Sequence, residues 1–341
     1  MSTTKFIALP TDLAGAAPRR GLALPWRVLL CLLGLAVALV PIWVLESFQL
    51  FQLTMAVIMA LAVLGLNIVT GYNGQISLGH GAFFAVGAYV TAILMSHLDW
   101  SFWATLPVSA LVCAVVGYGV GLPALRLGGL YLALTTFALA VAVPQVLKHR
   151  SIEDWTGGVQ GLFLTKPEPP AWLPLTADQF MYVVALGVSA ALFLLTWNLI
   201  HSRIGRALVA TRDHPTAAEA MGIDIAALKT RAFAVSAMVT GIAGSLSAIA
   251  IEFVAPDSFA VFLSITLFVG LVVGGVASIL GSVFGGLFVL FVPNIAEAIS
   301  KAAPGVIYGV ILILFLFLLP DGFAGLLRRI AARLFKPGST R

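Results

Sequence analysis

The chain has 341 residues, of which 60% are hydrophobic and only 10% carry a charge. A soluble domain is about half apolar and about a quarter charged, so this chain has too few charges to cover a soluble surface, which excludes a soluble enzyme or a disordered protein. The formal charge of +5 is spread over segments between apolar blocks rather than gathered in one patch, which also argues against a nucleic-acid-binding domain.

The composition leaves a polytopic membrane protein. No Asp, Glu, Lys or Arg occurs between Glu46 and Asp99, and further charge-free runs cover 100–125, 127–147, 179–202, 232–251, 258–296 and 302–320. A helix needs about 20 apolar residues to cross the hydrocarbon core. The predicted spans are 26–45, 50–70, 76–96, 102–122, 128–147, 179–200, 231–252, 259–279, 282–299 and 305–320. The fold expected is therefore all-α, a polytopic membrane helical bundle of about ten transmembrane helices. A β-barrel is excluded by pattern, because runs such as Val310–Leu319 do not alternate apolar and polar residues.

Chain order then gives a lead at 1–25, a membrane domain at 26–320 and a basic tail at 321–341. The lead is too long and lacks a small-residue cleavage site, so it does not read as a cleaved signal peptide. Lys5, Arg19, Arg20, Arg27, Arg126, Arg203, Arg206, Arg212, Lys229, Arg231, Arg328, Arg329, Arg333 and Lys336 all fall on one side of a ten-span arrangement. That side is expected to be the cytoplasm, with both termini there. The loop 148–178 falls outside, although Lys148 and Arg150 mildly oppose the rule. Cys31 and Cys113 lie inside apolar runs and read as small buried hydrophobes.

Gly71–Gly81 is glycine-rich and polar in the middle of the longest uncharged block. Irregular backbone exposed to lipid leaves polar groups unpaired. Gly74, Gln75, Ser77, Gly79, His80 and Gly81 are therefore the candidate translocation-path residues of a broken or re-entrant segment near 71–81; the alternative is a tight turn between the second and third spans. A lone His80 is a structural hydrogen-bonder before it is a proton relay. The pairs Gly117/Gly121, Gly270/Gly274 and Gly281/Gly285 have the four-residue spacing of close helix packing, with pore lining the lesser reading. No metal-ligand cluster and no GxxxxGK[ST] phosphate loop is present, so no metal or other cofactor is expected in this chain, and any ATP must be bound by another chain. Acidic residues are nearly absent from the spans, which counts against an ion-coupled carrier.

In the segment 201–230, Pro215 opens a short helix through Thr216–Met221, and Gly222 stops it. A two-turn helix is marginal alone, so it packs on its own membrane domain or docks a cytoplasmic partner.

Several pieces together resemble the permease subunits of ATP-driven branched-chain amino acid importers, the leucine/isoleucine/valine family. They are Gly74–Phe84 with Val86–Tyr89, Gly129–Thr136, Thr156–Leu162, Gly205–Ala207 with Arg212, Asp213, Ala217, Ala218, Gly222 and Lys229, Ala232–Ala237, Pro256, Phe259, Ser264–Ile265, Gly274–Gly275 and Pro320–Gly322. Their order over roughly 55–325 is similar to the longer of the two permease types. The resemblance implies a non-enzymatic transport subunit in a bacterial inner membrane, paired with a second homologous permease, two cytoplasmic ATPase subunits and a periplasmic or surface substrate-binding protein. It also implies that Arg212, Asp213, Ala218, Glu219, Gly222 and Lys229 form the ATPase-coupling segment. Ala220 and Met221 depart from the tighter Glu-Ala-Ala pattern of the best-known importers. Relatives of this kind also serve urea and short amides, and a stand-alone secondary carrier is the other class to be distinguished.

Overall fold

The computed structural model describes residues 38–124, 129–299, 301 and 304–334. The lead 1–25, most of the expected first span, Cys31, Arg126, Lys336 and the end of the tail lie outside the described residues. Residues 38–45 form a short unit by themselves, with one helical turn at Pro41–Val44.

The second unit, from Glu46 onward, is built from helices. They are α1 (Ser47–Asn67, extended by a π turn at Ile68–Tyr72), α2 (His80–Leu98), α3 (Phe102–Ala124) and α4 (Leu130–Leu147). After a segment that holds the strand β1 (Leu162–Phe163) come α5 (Ala177–His201), α6 (Arg203–Asp213), α7 (Pro215–Ala220) and α8 (Ile225–Ile251). The strand β2 (Phe253–Val254) and a 3-10 turn at Pro256–Phe259 lead to α9 (Val261–Gly274), α10 (Ile279–Ile299), α11 (Pro304–Leu318) and α12 (Gly322–Leu334).

Among the described residues, eight helical segments are long and apolar enough to cross a membrane, and a ninth span arises if the bent pair at 305–330, which turns by 41°, counts as one. Each of the eight overlaps a charge-free run of the sequence, with any charged residues near its ends. The chain is thus a multi-pass helical membrane protein. α1 and α8 are its most enclosed helices, with Ile58, Leu61, Val63, Leu64 and Leu66 packed against Phe233, Ala237, Leu246 and Ile249.

Local chemistry sets the helix ends. Thr176 and Gln179 form a reciprocal capping box at the start of α5, Ser202 caps α6, and Asp224 caps α8. The α9–α10 hairpin closes tightly because Gly274 and Gly285 rest on the carbonyls of Gly281 and Gly270. Gly117 packs on Ala237 and Gly121 on Thr230, so these small-residue pairs are packing positions. α9 is shorter than the expected 259–279, because Gly275 at φ 113° and Ala277 at φ 57° break the helix. The tail at 321–341 contains a helix, α12. Gly322 at φ 67° holds its start against Gly275, where a Cβ would meet the Gly275 Cα at 2.6 Å.

The ends of the bundle can be named by their charges. Arg212, the Ala277 turn and the start of α12 gather at one end. Lys148 pairs with Asp257 at the other, where β1 and β2 also pair antiparallel. There Lys166 bonds Asp178 at 3.0 Å and Glu252 at 3.3 Å, tying the segment 157–176 to the ends of α5 and α8. Burial works against the Lys166 charge, but the hydrogen bond and attraction of Asp178 and the pull of Glu252 outweigh it and raise its pKa.

Candidate functional site

The third span opens with a short extended stretch and continues as the 19-residue helix α2. α1 reaches the Arg212 end, the chain turns at Asn73–Gly74, and residues 75–79 climb back inside the bundle before α2 starts at His80. The depth follows from helix rise, about 1.5 Å per residue. Gly81 N–H donates to Ser264 Oγ at 2.9 Å, and Ser264 lies eleven residues, or about 16 Å, before the hairpin glycine Gly275. Leu78 N–H donates to Thr136 Oγ1 at 3.0 Å, and Thr136 lies twelve residues, or about 18 Å, before Lys148. His80 therefore sits near the middle of a layer about as thick as a hydrocarbon core of roughly 30 Å. α9 also starts inside, at Val261, so the N-terminal ends of α2 and α9 meet near mid-depth. Residues 71–81 combine features of both readings: a tight turn at Asn73–Gly74 joins α1 to α2, and a buried extended stretch follows it before α2, which is by itself long and apolar enough to cross a membrane.

Buried irregular backbone needs partners, and here they come both from neighbouring residues and from the distant Arg212, Thr136 and Ser264. Thr70 Oγ1 donates to the Gln75 carbonyl at 3.1 Å, and Gln75 N–H donates to the Val69 carbonyl at 3.0 Å. Asn73 Nδ2 donates to Gln75 Oε1 at 2.6 Å. The burial pattern of the segment alternates. Gln75, Ser77 and Gly79 face the bundle, whereas Gly74 and Ile76 are exposed and Leu78 is half-buried. That is the period of an extended strand. Among the described residues, the N–H groups of Ile76 and Ser77 meet no acceptor.

His80 organises the mid-depth crossing. Ser236 Oγ lies 2.5 Å from the Gly65 carbonyl, which can only accept, so the Ser236 proton is committed there. The His80 Nε2–H must then donate to Ser236 Oγ at 2.6 Å. Its Nδ1 accepts from the Ser77 hydroxyl at 2.9 Å, and Gly79 N–H closes on Ser77 Oγ at 3.4 Å. The ring, 1% exposed between Phe83 and Phe233, has both nitrogens satisfied and no carboxylate partner. This is a structural clamp across α1, α2 and α8. Gly79 and Gly81 are held by close approach: a Cβ at either would come within 2.6 Å of the Thr136 carbonyl or of Ser264 Oγ.

The coupling candidates occupy the Arg212 end. Arg212 Nη1 donates to the Gly71 carbonyl at 2.9 Å, and its Nε bonds Asp213 at 2.8 Å. The guanidinium holds the exposed Asp213 carboxyl below its ordinary pKa, chiefly through that hydrogen bond. The Arg212 stem lies against Gly74, at φ 73°. α6 thus touches the point where the broken span begins. α7 ends as the sequence suggests: Ile223 N–H reaches the Ala218 carbonyl at 3.1 Å and Gly222 N–H the Glu219 carbonyl at 2.9 Å, with Gly222 at φ 80°. Ala218 is buried, Glu219 is exposed, Lys229 is half-buried, and Met221 is 83% exposed.

Residue-by-residue reading of function passed over Thr136, Ser236 and Ser264, although each belongs to a stretch quoted above for the resemblance. Four separate stretches of that pattern meet at Leu78–Gly81. Asn67 was also missed. It is fully buried, donates to the Ser278 carbonyl at 2.8 Å and Ser282 Oγ at 3.0 Å, and accepts from Ala277 N–H at 2.9 Å. A lone asparagine in an apolar run was the available signal.

Comparison with known proteins places the chain in a family. Residues 48–319 match the family model described as branched-chain amino acid transport system / permease component. The chain is 32% identical over 248 residues to the high-affinity branched-chain amino acid transport system permease protein LivM of Salmonella typhimurium, covering 66% of this chain and 58% of that one. The LivM protein of Escherichia coli K12 matches equally. The LivH permease of Escherichia coli K12 is 26% identical over 285 residues, covering 78% of this chain and 91% of its own. The match therefore spans less than two thirds of the LivM relatives' length. No solved structure matches.

Proposed function

The chain belongs to the branched-chain amino acid transport permease family, and on that premise we propose that it is the membrane permease subunit of an ATP-driven importer, providing a translocation route for branched-chain amino acids. The observation that carries the reading is the extended stretch 74–79, in which Gly74 and Ile76 are exposed and Leu78 is half-buried, leading to the contact of Gly81 with Ser264 of α9. Lipid cannot hydrogen-bond an extended backbone edge at that depth, so the edge faces a water-filled route. A second homologous permease closes the other side. The protein hydrolyses nothing; ATP is bound by two partner subunits, and a periplasmic or surface binding protein delivers the amino acid.

The Arg212 end is assigned to the cytoplasm of a bacterial inner membrane. α7, with Met221 exposed and a rigid stop at Gly222, is the docking element for an ATPase subunit. A displacement of α6–α7 reaches the broken span through Arg212 and the Gly71 carbonyl.

The test is uptake of labelled leucine, isoleucine and valine by cells carrying this chain with its neighbouring permease, ATPases and binding protein, with urea and acetamide as competitors. Leucine uptake that requires ATP, with crosslinks between cysteines at 217–222 and the ATPase, is expected. Uptake without the ATPases, or urea uptake in place of leucine, would sink the proposal. Arg212→Gln should assemble normally yet lose most uptake.

A further inference from the structure

α12 follows directly on α11, whose Ile313, Phe317 and Leu318 are exposed apolar residues leading to the break at Pro320. The chain there bends by 41°, so α12 departs from the direction of α11. The start of α12 is fixed against the end of α9 by Gly322 and Gly275, and Phe323 packs on Phe284 at 4.1 Å between centroids with the rings tilted by 37°. Beyond that anchor, Leu327 and Ile330 remain exposed. No acidic residue occurs in 322–334, whereas Arg328, Arg329 and Arg333 do.

Between α9 and α12 lies an open cleft of about 500 Å³ lined by Val272, Val276, Pro320, Asp321, Arg328 and Arg329. One wall is apolar and continues from the membrane span; the rim is basic. Asp321 is already engaged by Arg329 as an ion pair. Arg328 has no acidic partner among the described residues, and its Nε makes only a 3.4 Å bond to its own helix at the Ala324 carbonyl. An apolar wall at the membrane surface, with an uncompensated guanidinium at its mouth, has the form of an amphiphile with a negative head.

We propose that this cleft binds an anionic phospholipid, with the phosphate at Arg328 and the upper acyl chain along Val272 and Val276. The basic rim rules out an acyl chain alone as the recognised feature, and the position at the end of an apolar span favours a lipid over a soluble anion. Such a lipid seats α12 on the bundle end, next to the hairpin that holds Asn67.

The experiment is native mass spectrometry of the purified full chain in detergent, with phosphatidylglycerol, phosphatidylcholine or glycerol 3-phosphate added in turn. Phosphatidylglycerol should be retained, phosphatidylcholine should be lost, and millimolar glycerol 3-phosphate should not displace the lipid. Arg328→Gln should weaken phosphatidylglycerol retention by about tenfold, and Arg328→Lys, which keeps the point charge, should restore most of it. Equal retention of the two lipids, or an Arg328→Gln chain that binds like the parent, would overturn the proposal. So would displacement by glycerol 3-phosphate, which would mark a soluble-phosphate site. Normal lipid retention in Arg328→Gln with lost ATPase co-purification would instead identify the cleft as a partner surface.

Discussion

Replacing His80 separates a clamp from a proton carrier. His80→Ala removes two side-chain hydrogen bonds, to Ser77 and Ser236, each worth roughly 0.6–1 kcal/mol in a helical membrane bundle. It also removes a ring enclosed by Phe83 and Phe233, and the void adds roughly 1–3 kcal/mol. Ser236 keeps its bond to Gly65, so only Ser77 loses an acceptor. The total is about 2–5 kcal/mol of local packing, concentrated where α1, α2 and α8 cross. His80→Gln keeps a donor and an acceptor on a side chain of similar length and should recover about half. The assay is thermal unfolding of the purified assembly in detergent, read beside uptake at matched membrane levels. Uptake and melting temperature should fall together across the series. A His80→Ala protein that melts like the parent but does not transport would refute the clamp and assign His80 to the transport chemistry itself.

Three further outcomes follow from the same geometry. Gly79→Leu and Gly81→Leu, and even Gly81→Ala, should reduce uptake more than membrane expression, because the first added carbon meets the Thr136 carbonyl or Ser264; normal uptake at normal expression would remove the special status of this crossing. Gly222 has open space around it, so its requirement is conformational: Gly222→Asn should transport nearly normally, whereas Gly222→Val costs about 1–2 kcal/mol at the end of α7 and should weaken ATPase docking in a co-purification assay. Lys166 has a raised folded pKa, so the stabilisation from its pairing is full below its ordinary value of 10.5 and is lost as pH climbs through the higher folded value. A spin label at position 168 should therefore stay immobile through neutral pH and gain mobility only in strong alkali, while Lys166→Met should show that mobility at pH 7.

The spans were legible because charge is excluded from hydrocarbon, and every charge-free run among the described residues became one or two helices. Gly222 was legible as a stop because its signal is local. The depth of His80 was not. Residues 76–79 read as the start of a helix, but Thr136 holds the Leu78 N–H from 58 positions away, and Ser264 holds the Gly81 N–H at the start of α2 from 183. The same holds for Asn67, whose partners at 277–282 close the α9–α10 turn. The tail reads as a run of basic residues until Gly322 and Gly275 are seen to fix α12 against α9. Long-range side-chain bonds to backbone leave no periodic trace, so sequence marks where such residues lie but not which of them meet.

The central claim, that the extended stretch ahead of α2 is an edge lining a water-filled route, is tested most directly by cysteine accessibility at neighbouring positions. In the assembled transporter, with Cys31 and Cys113 replaced by alanine, single cysteines are placed at Gly74, Ile76 and Leu78 and, for contrast, at Gln75 and Ser77. A small charged thiol reagent should modify positions 74, 76 and 78, with leucine slowing the reaction at 76 and 78, and should leave 75 and 77 untouched. Reaction at every position alike, or none at Ile76 with and without ATP, would contradict the account.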